Sequence, residues 1–283
     1  MRTRDGIILQ ARFASTRLPG KALERIGSRT LLEHCLARML SAGVARVVLA
    51  TTMNVEDDAL ATVASRMGVS VFRGDVTDVL GRYAAAAAQF GFDRIVRATG
   101  DNPAVDISAP GRLLAALRTN AVDYVWEDGL PYGGAVEAMT ATALQHAAEA
   151  ATHSEDREHV TPFIRRSTRR FRTLQVTAPA PLWRPDVRVT VDTPEDLTRM
   201  RELFARTGTE NPTLRQIIEA AGQPQTSPEA KIATNEAGVS PGLGRCPGHA
   251  KRGQETPCGS EAEPVRDTIS KRFDAELYRQ EVA

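Results

Sequence analysis

Gly6-Ile7-Ile8-Leu9-Gln10-Ala11-Arg12-Phe13-Ala14-Ser15-Thr16-Arg17-Leu18-Pro19-Gly20-Lys21 is a short apolar run that breaks straight into a loop carrying three cations and no acid. The run Gly6 to Gln10 reads as a β-strand covered on both faces, because apolar residues follow one another without alternation. In an open α/β sheet, ligands bind beyond the carboxyl ends of the strands, which is where this loop begins. Small residues at Ala11, Ala14 and Ser15 let backbone N–H groups approach an anion, and Arg12, Arg17 and Lys21 supply positive charge around it. That chemistry suits a triphosphate whose pyrophosphate end gathers charge as it leaves. The loop lacks the Gly-Lys-Ser/Thr ending of a Walker A sequence, and a solvated basic loop is the plainer alternative that charge alone leaves open.

Outward from this strand, short apolar runs alternate with amphipathic stretches. Further strands are expected at Arg46 to Thr51, Val69 to Phe72, Arg94 to Arg97 and Asp123 to Trp126. Helices are expected at Thr30 to Ala42, Val55 to Met67, Thr77 to Phe90 and Ala109 to Thr119. This rhythm of β-α units predicts an α/β fold with a mainly parallel, mixed sheet and helices on both faces. Gly43, Gly68 and Gly91 stand where a left-handed C-terminal cap favours glycine. After residue 130 the rhythm loosens. Pro131 to Gly134 reads as a turn, Ala138 to Ala151 as a helix, His153 to Arg166 as a polar helical segment, and Phe171 to Thr177 and Val187 to Val191 as strands. Thr193 then N-caps a helix with Pro194 at its first position and Glu195 and Asp196 in its first turn, and a last helix runs from about Thr213 to Ala221.

Residues 1–222 thus form one expected domain. From Gln223 to Pro264 the composition turns to Gly, Pro, Ser, Glu and Lys and reads as a disordered linker, while residues 265–283 carry Val265, Ile269, Phe273, Leu277 and Val282 near helical spacing. The whole chain of 283 residues has 36 basic and 35 acidic side chains, so no global field favours nucleic acid or an anionic membrane as a partner. Three cysteines make no disulfide framework, no stretch approaches the roughly 20 apolar residues of a membrane span, and a cytoplasmic protein is expected. Cys246, His249 and Cys258 lack the paired spacing of a zinc site.

The loop Gln10 to Lys21 resembles the signature of the cytidylyltransferases that activate acidic sugars, including the 3-deoxy-manno-octulosonate, acylneuraminate and SpsF-type spore-coat polysaccharide enzymes. Five further stretches match the SpsF-type branch in order: Phe72-Arg73-Gly74, Asp78 to Tyr83, Thr99 to Pro103, Arg157 to Pro162, and Val191 to Leu197. Together they span roughly residues 5–207. The resemblance implies a Rossmann-like, GT-A-like nucleotidyltransferase fold and transfer of CMP from CTP to an acidic sugar or similar small acceptor, with release of pyrophosphate. It implies Arg12, Arg17 and Lys21 as catalytic cations on the phosphates, and Asp101 and Asp192 as ligands of Mg2+. An Asp beside Pro or at a helix start is otherwise a turn former or cap. Relatives of this kind are commonly dimers.

Nucleotide contacts are expected from the loop residues Ala11, Arg12, Ser15, Arg17 and Lys21, and from Thr51, Gly74, Asp78, Arg97, Thr99 and Gly100 at later strand ends. Thr51 as strand packing and Asp78 as a first-turn helix residue are the plainer alternatives. Arg97 in a central strand is expensive to bury without a charged neighbour. The acceptor side is expected at Glu137, Arg157 and His159, with a capping arginine and a packed histidine as the plain reading of the last two. Relatives usually carry an aspartate two residues before the glutamate, and here that place is Ala135. The run Arg165, Arg166, Arg169, Arg170, Arg172 reads as a solvated face, with an anionic acceptor or a subunit contact as its alternatives. Another nucleoside triphosphate, a phosphate or phosphonate acceptor, or an inactive nucleotide-binding protein would also fit this pattern.

Overall fold

The computed structural model describes residues 4–43 and 46–222; the linker, the C-terminal amphipathic stretch and the Cys246/His249/Cys258 group lie outside the described residues. The strands are β1 Asp5–Gln10, β2 Arg25–Ile26, β3 Arg29–Thr30, β4 Arg46–Thr52, β5 Ser70–Gly74, β6 Arg94–Thr99, β7 Tyr124–Asp128, β8 Glu137–Thr140 and β9 Thr173–Thr177. The helices are α1 Leu31–Ser41, α2 Asp58–Arg66, α3 Val79–Phe90, α4 Ala109–Thr119, α5 Ala141–Ala150, α6 Ser154–His159, α7 Pro162–Arg166, α8 Pro194–Thr207 and α9 Leu214–Ala221. Seven strands form one sheet in the order β5-β4-β1-β6-β8-β7-β9, and β2 and β3 form a separate small hairpin. β1 lies between β4 and β6, parallel to both, so the loop that follows it opens at the middle of the sheet.

Alternate residues of the strands feed two cores. Ile7 and Leu9 join Leu36, Leu60, Leu113, Leu203 and Ile217, so α1, α2, α4, α8 and α9 cover one face. Ile8 joins Leu80, Tyr83, Leu144 and Ile164, so α3, α5 and α7 cover the other. Full burial of each such large apolar side chain stabilises the fold by roughly 1.5–3 kcal/mol before the entropy of ordering is subtracted. The sheet is mainly parallel and helices lie on both faces, as the alternating rhythm predicts. Gly43, Gly68 and Gly91 all take positive φ. Among the described residues no helix is long and apolar enough to cross a membrane.

Three expectations are corrected and one element is added. Residues expected as the start of a helix at Ala138 instead form β8, antiparallel to both β6 and β7, and α5 begins only at Ala141. Thr140 marks the change, since its hydroxyl caps α5 by accepting from Ala143 N at 3.1 Å. Val187 to Val191 is buried but does not join the sheet. Its backbone is spent on Tyr132 and Asp101 instead, with Val189 N donating to Tyr132 O at 2.8 Å and Val191 N to Asp101 O at 2.9 Å. The polar segment His153 to Arg166 is two helices, broken at Val160, whose φ of 73° and ψ of −55° no helix accommodates. Finally, the β2-β3 hairpin, too short for any periodicity to reveal, precedes α1, whose Thr30 and Glu33 form a reciprocal capping box.

Candidate active site

The loop after β1 is held in place from both sides. Ala11 N donates to Ala50 O at 3.3 Å, and Asp57 Oδ1 accepts from Phe13 N at 2.6 Å while its other oxygen accepts from Thr52 N at 3.0 Å. Burial alone would raise the Asp57 pKa, but these bonds hold it below the usual carboxylate range. On the β6 side Gly100 N donates to Gln10 O at 2.7 Å, and a Cβ on Gly100 would stand 2.7 Å from the Ala11 Cβ. Gly100 therefore has to lack a side chain for the two loops to meet.

At the far end of the loop, Lys21 reaches two distant aspartates. Its ammonium donates to Asp101 Oδ2 at 3.2 Å, to Asp192 Oδ1 at 2.9 Å and to the Val191 carbonyl at 2.8 Å. Arg17 approaches the same Asp192 oxygen at 3.3 Å. Asp101 and Asp192, 91 positions apart in the chain, so meet around one cation beside the basic loop. Burial works against the charged form of Lys21, but the two carboxylates outweigh it and raise its pKa. Burial likewise disfavours ionised Asp101, and Lys21 outweighs it, leaving the Asp101 pKa lowered. Among the described residues no group of three or more His, Cys, Asp and Glu side chains forms a closed metal site. Two hard carboxylates converging on one cation are nevertheless a donor set that fits Mg2+, which takes one or two carboxylates and completes its shell with phosphates and water.

Asp192 owes its orientation to a residue that the sequence analysis did not single out. Arg188 donates from Nη2 to Asp192 Oδ2 at 2.8 Å and grips Asp196 at 2.9 and 3.0 Å, while its guanidinium lies 4.8 Å from the centre of the Tyr132 ring. Asp192 N in turn donates to Asp196 Oδ2 at 3.0 Å. One oxygen of Asp192 is thereby occupied, and the other faces Lys21 and Arg17. The signal in the sequence is the i,i+4 spacing of Arg188 and Asp192, which is too common to stand out.

The remaining expected residues divide. Arg12 is exposed and pairs with Glu158 of α6 at 3.4 Å, which brings α6 to the rim of the loop, and Ser15 is half-buried in the same loop. Thr99 accepts from Asn102 Nδ2 at 2.8 Å, steadying the turn that carries Asp101. Thr51 is fully buried inside β4, and its hydroxyl makes no hydrogen bond among the described residues. Asp78 caps α3 by accepting from Gly81 N at 2.8 Å, and its other oxygen pairs with Arg157. Arg157 further donates to the Ala148 and Ala151 carbonyls at 2.9 Å each, so these two residues tie α6 to α3 and to the end of α5. His159 is half-buried, with its carbonyl accepting from Thr161 N at 2.9 Å.

Glu137 is the centre of a second buried cluster. Arg97 Nη1 donates to its Oε2 at 2.9 Å, Tyr124 OH donates to Oε1, and Thr161 Oγ1 donates to Oε1 at 3.2 Å. Burial raises the Glu137 pKa, and Arg97 and Arg165 bring it back below the ordinary glutamate value. Arg165 also stacks on Trp126, 5.0 Å from the ring centre, so at least one member of the arginine run is not a solvated charge. Arg97 thus has the charged neighbour that its strand position demands.

The sequence model of the family described as Cytidylyltransferase matches residues 6–221. An uncharacterized protein of Methanocaldococcus jannaschii, MJ1063, is 37% identical over 213 residues, 75% of this chain and 88% of that one. The spore coat polysaccharide biosynthesis protein SpsF of Bacillus subtilis is 32% identical over 207 residues, 71% of this chain and 86% of its own. Among solved structures, a cytidylyltransferase from Leptospira borgpetersenii superposes with a TM-score of 0.73 at 28% identity, covering 77% of this chain and 93% of that one. With the sheet, the basic loop and a family match running from β1 to α9, the chain belongs to the cytidylyltransferase family, in its SpsF-type branch, and is a nucleotidyltransferase.

Proposed function

We propose that the protein transfers CMP from CTP to an acidic sugar or similar small acid, with Mg2+ as cofactor and pyrophosphate as the second product. The observation that carries this reading is the meeting of Lys21, Arg17, Asp101 and Asp192 at the carboxyl edge of the sheet. An acceptor oxygen attacks the α-phosphorus in line; the bond from that phosphorus to the bridging oxygen breaks, and the electron pair leaves on pyrophosphate. Such a reaction needs positioning and charge neutralisation more than a covalent nucleophile. In this reading Lys21 and Arg17 neutralise the leaving oxygens, and Arg12 joins them once its exposed pair with Glu158 is exchanged for phosphate. Asp101 and Asp192 would hold Mg2+, which supplies further charge neutralisation on the phosphates when bound. The backbone of Ala11 and Gly100, packed without intervening side chains, offers a close approach for the nucleotide.

For the acceptor, the acid-sugar reading is supported by the SpsF relative's place in polysaccharide biosynthesis and by the cationic residues Arg97 and Arg165 around Glu137. Glu137 has both oxygens engaged by protein donors, so its role in this reading is to hold Arg97 toward the acceptor. The test is direct. The purified chain is incubated with Mg2+, each of the four nucleoside triphosphates and a panel of acidic sugars, and pyrophosphate is measured. Pyrophosphate with CTP and an acidic acceptor supports the reading; release with a different triphosphate, or with none, overturns it.

A further inference from the structure

Arg38, in the last turn of α1, is 8% exposed, and its side-chain hydrogen bonds among the described residues all run to backbone carbonyls. Nε donates to Pro103 O, Nη1 to Val105 O at 3.1 Å and Nη2 to Pro212 O. Burial pulls its pKa down to about 10, so the guanidinium stays charged at neutral pH. A buried charge with no hydrogen-bonded acid is expensive to keep, and neutral donors could serve carbonyls at lower cost. What a guanidinium adds is shape, a flat and rigid fork that fixes several acceptors relative to one another.

Its acceptors identify what is being fixed. Pro103 and Val105 lie between β6 and α4, in the segment that carries Asp101. Pro103 to Asp106 are buried but belong to no helix or strand, so their carbonyls depend on partners from elsewhere in the chain. Arg38 serves two of these carbonyls. The segment is pinned at its ends as well: Val191 N donates to Asp101 O at 2.9 Å, Asp106 N donates to Gly134 O at 3.1 Å, and Arg112 pairs with the Asp106 carboxylate at 2.7 Å. Cys35, three residues before Arg38, is buried against the same segment, with the Asn102 N–H facing its sulfur. Through Pro212 the fork also reaches the loop before α9, so one side chain ties together α1, the Asp101 segment and the entry to α9.

We propose that Arg38 is a positioning residue for nucleotidyl transfer: by fixing residues 100–106 it aims the Asp101 carboxylate, and it touches neither substrate nor metal. The inference rests on the reading in which Asp101 and Asp192 hold Mg2+. The two aspartates are oriented separately, Asp192 by Arg188 and Asp101 through its backbone segment by Arg38. Loss of the fork leaves the Pro103 and Val105 carbonyls unpaired in the interior, and the segment shifts to find new partners. Arg12 and Arg17 pair with Glu158 and Asp192 rather than with this segment, so phosphate binding at saturating metal is left as it was.

The test measures Mn2+ binding to the full chain, with and without CTP, from the loss of the free-ion electron spin resonance signal. It compares the wild type with Arg38→Met, Arg38→Lys and Leu36→Ala, a core change in the same helix, each followed by thermal melting. Arg38→Met is expected to weaken Mn2+ about 10- to 100-fold, the range for a lost orienting partner of a metal ligand, with the KM for CTP at saturating Mn2+ unchanged. Arg38→Lys, which keeps the charge but not the fork, loses only a few-fold. Leu36→Ala melts at a lower temperature and keeps the wild-type Mn2+ affinity. Should Arg38→Met not fold, the few-fold loss in Arg38→Lys carries the proposal, and no loss there overturns it. Unchanged Mn2+ affinity in a folded Arg38→Met, or an equal loss in Leu36→Ala, reduces Arg38 to a structural brace and leaves the enzyme class standing. A wild type that binds Mn2+ neither alone nor with CTP and releases no pyrophosphate overturns the metal-dependent reaction itself.

Discussion

Lys21 Nζ lies 2.9 Å from Asp192 Oδ1, joining two residues 171 positions apart in the chain. The same ammonium holds Asp101 at 3.2 Å, and its side chain is only 13% exposed. Lys21→Met would leave two carboxylates facing each other in a part-buried site. Removing one partner of a buried ion pair costs about 3–5 kcal/mol, and the remaining exposure here places the loss toward the lower end of that range. Pyrophosphate release should fall by about 100-fold or more, as for loss of a charge-stabilising donor. Chemical denaturation and a pyrophosphate assay on the same preparation check both. Turnover within a few-fold of wild type would remove Lys21 from the mechanism.

Arg188 affects the site through Asp192. It occupies Asp192 Oδ2 and stacks on Tyr132, leaving Oδ1 for the shared cation. In Arg188→Met the Asp192 carboxylate is free to rotate. Loss of such an orienting partner typically weakens metal binding about 10- to 100-fold. The check is a Mg2+ titration of activity together with direct Mn2+ binding. A raised metal requirement that Arg188→Lys partly restores is the expected result, and an unchanged Mn2+ affinity would reduce Arg188 to a surface brace.

What the sequence made legible follows the range of each signal. β1 and β4 were readable because their apolar runs are local, β5 and β6 because shorter apolar pairs fall in the β-α rhythm, and the basic loop after β1 because charge and small residues sit together within twelve positions. Asp101 and Asp192 were placed by their matching flanks, and their meeting at Lys21 is a long-range fact that no local pattern contains. β8 was hidden because Glu137–Thr140 is four residues running into an alanine-rich helix, and its partners β6 and β7 make it a strand. Arg157 and Asp78, each read as a ligand contact or as a plain helix-end residue, lie 79 positions apart and pair with each other, a link no local pattern contains.

Glu137 gives the protein a pH-dependent share of its stability. Its folded pKa is lowered: burial opposes the charge, and Arg97 and Arg165 overcome it. A carboxyl with a depressed folded pKa stabilises fully above its unfolded value, about 4.3, and the contribution fades as the pH falls through the lower folded value. Denaturation of wild type and Glu137→Gln across pH 3 to 8 should show a constant gap from about pH 5 upward. The gap should narrow below about pH 4. A gap independent of pH would mean that Glu137 acts through shape and hydrogen bonding alone.

Val160 reverses an ordinary rule of substitution. It is fully buried, and with φ 73°, ψ −55° and Thr161 N donating to His159 O at 2.9 Å it is the centre of a γ-turn of the rare, strained kind. The turn swings Thr161 toward Glu137, whose Oε1 accepts from its hydroxyl at 3.2 Å. A β-branched residue at positive φ costs on the order of 1–3 kcal/mol, and alanine shares most of that penalty whereas glycine does not. Val160→Ala loses the buried side chain and keeps the strain. Val160→Gly loses slightly more side chain and sheds the strain, so it should be at least as stable as Val160→Ala, although glycine ordinarily destabilises by roughly 0.5–1 kcal/mol relative to alanine. Urea denaturation of the two variants decides the order, and a clearly less stable glycine variant would mean that residue 160 does not hold this turn in solution.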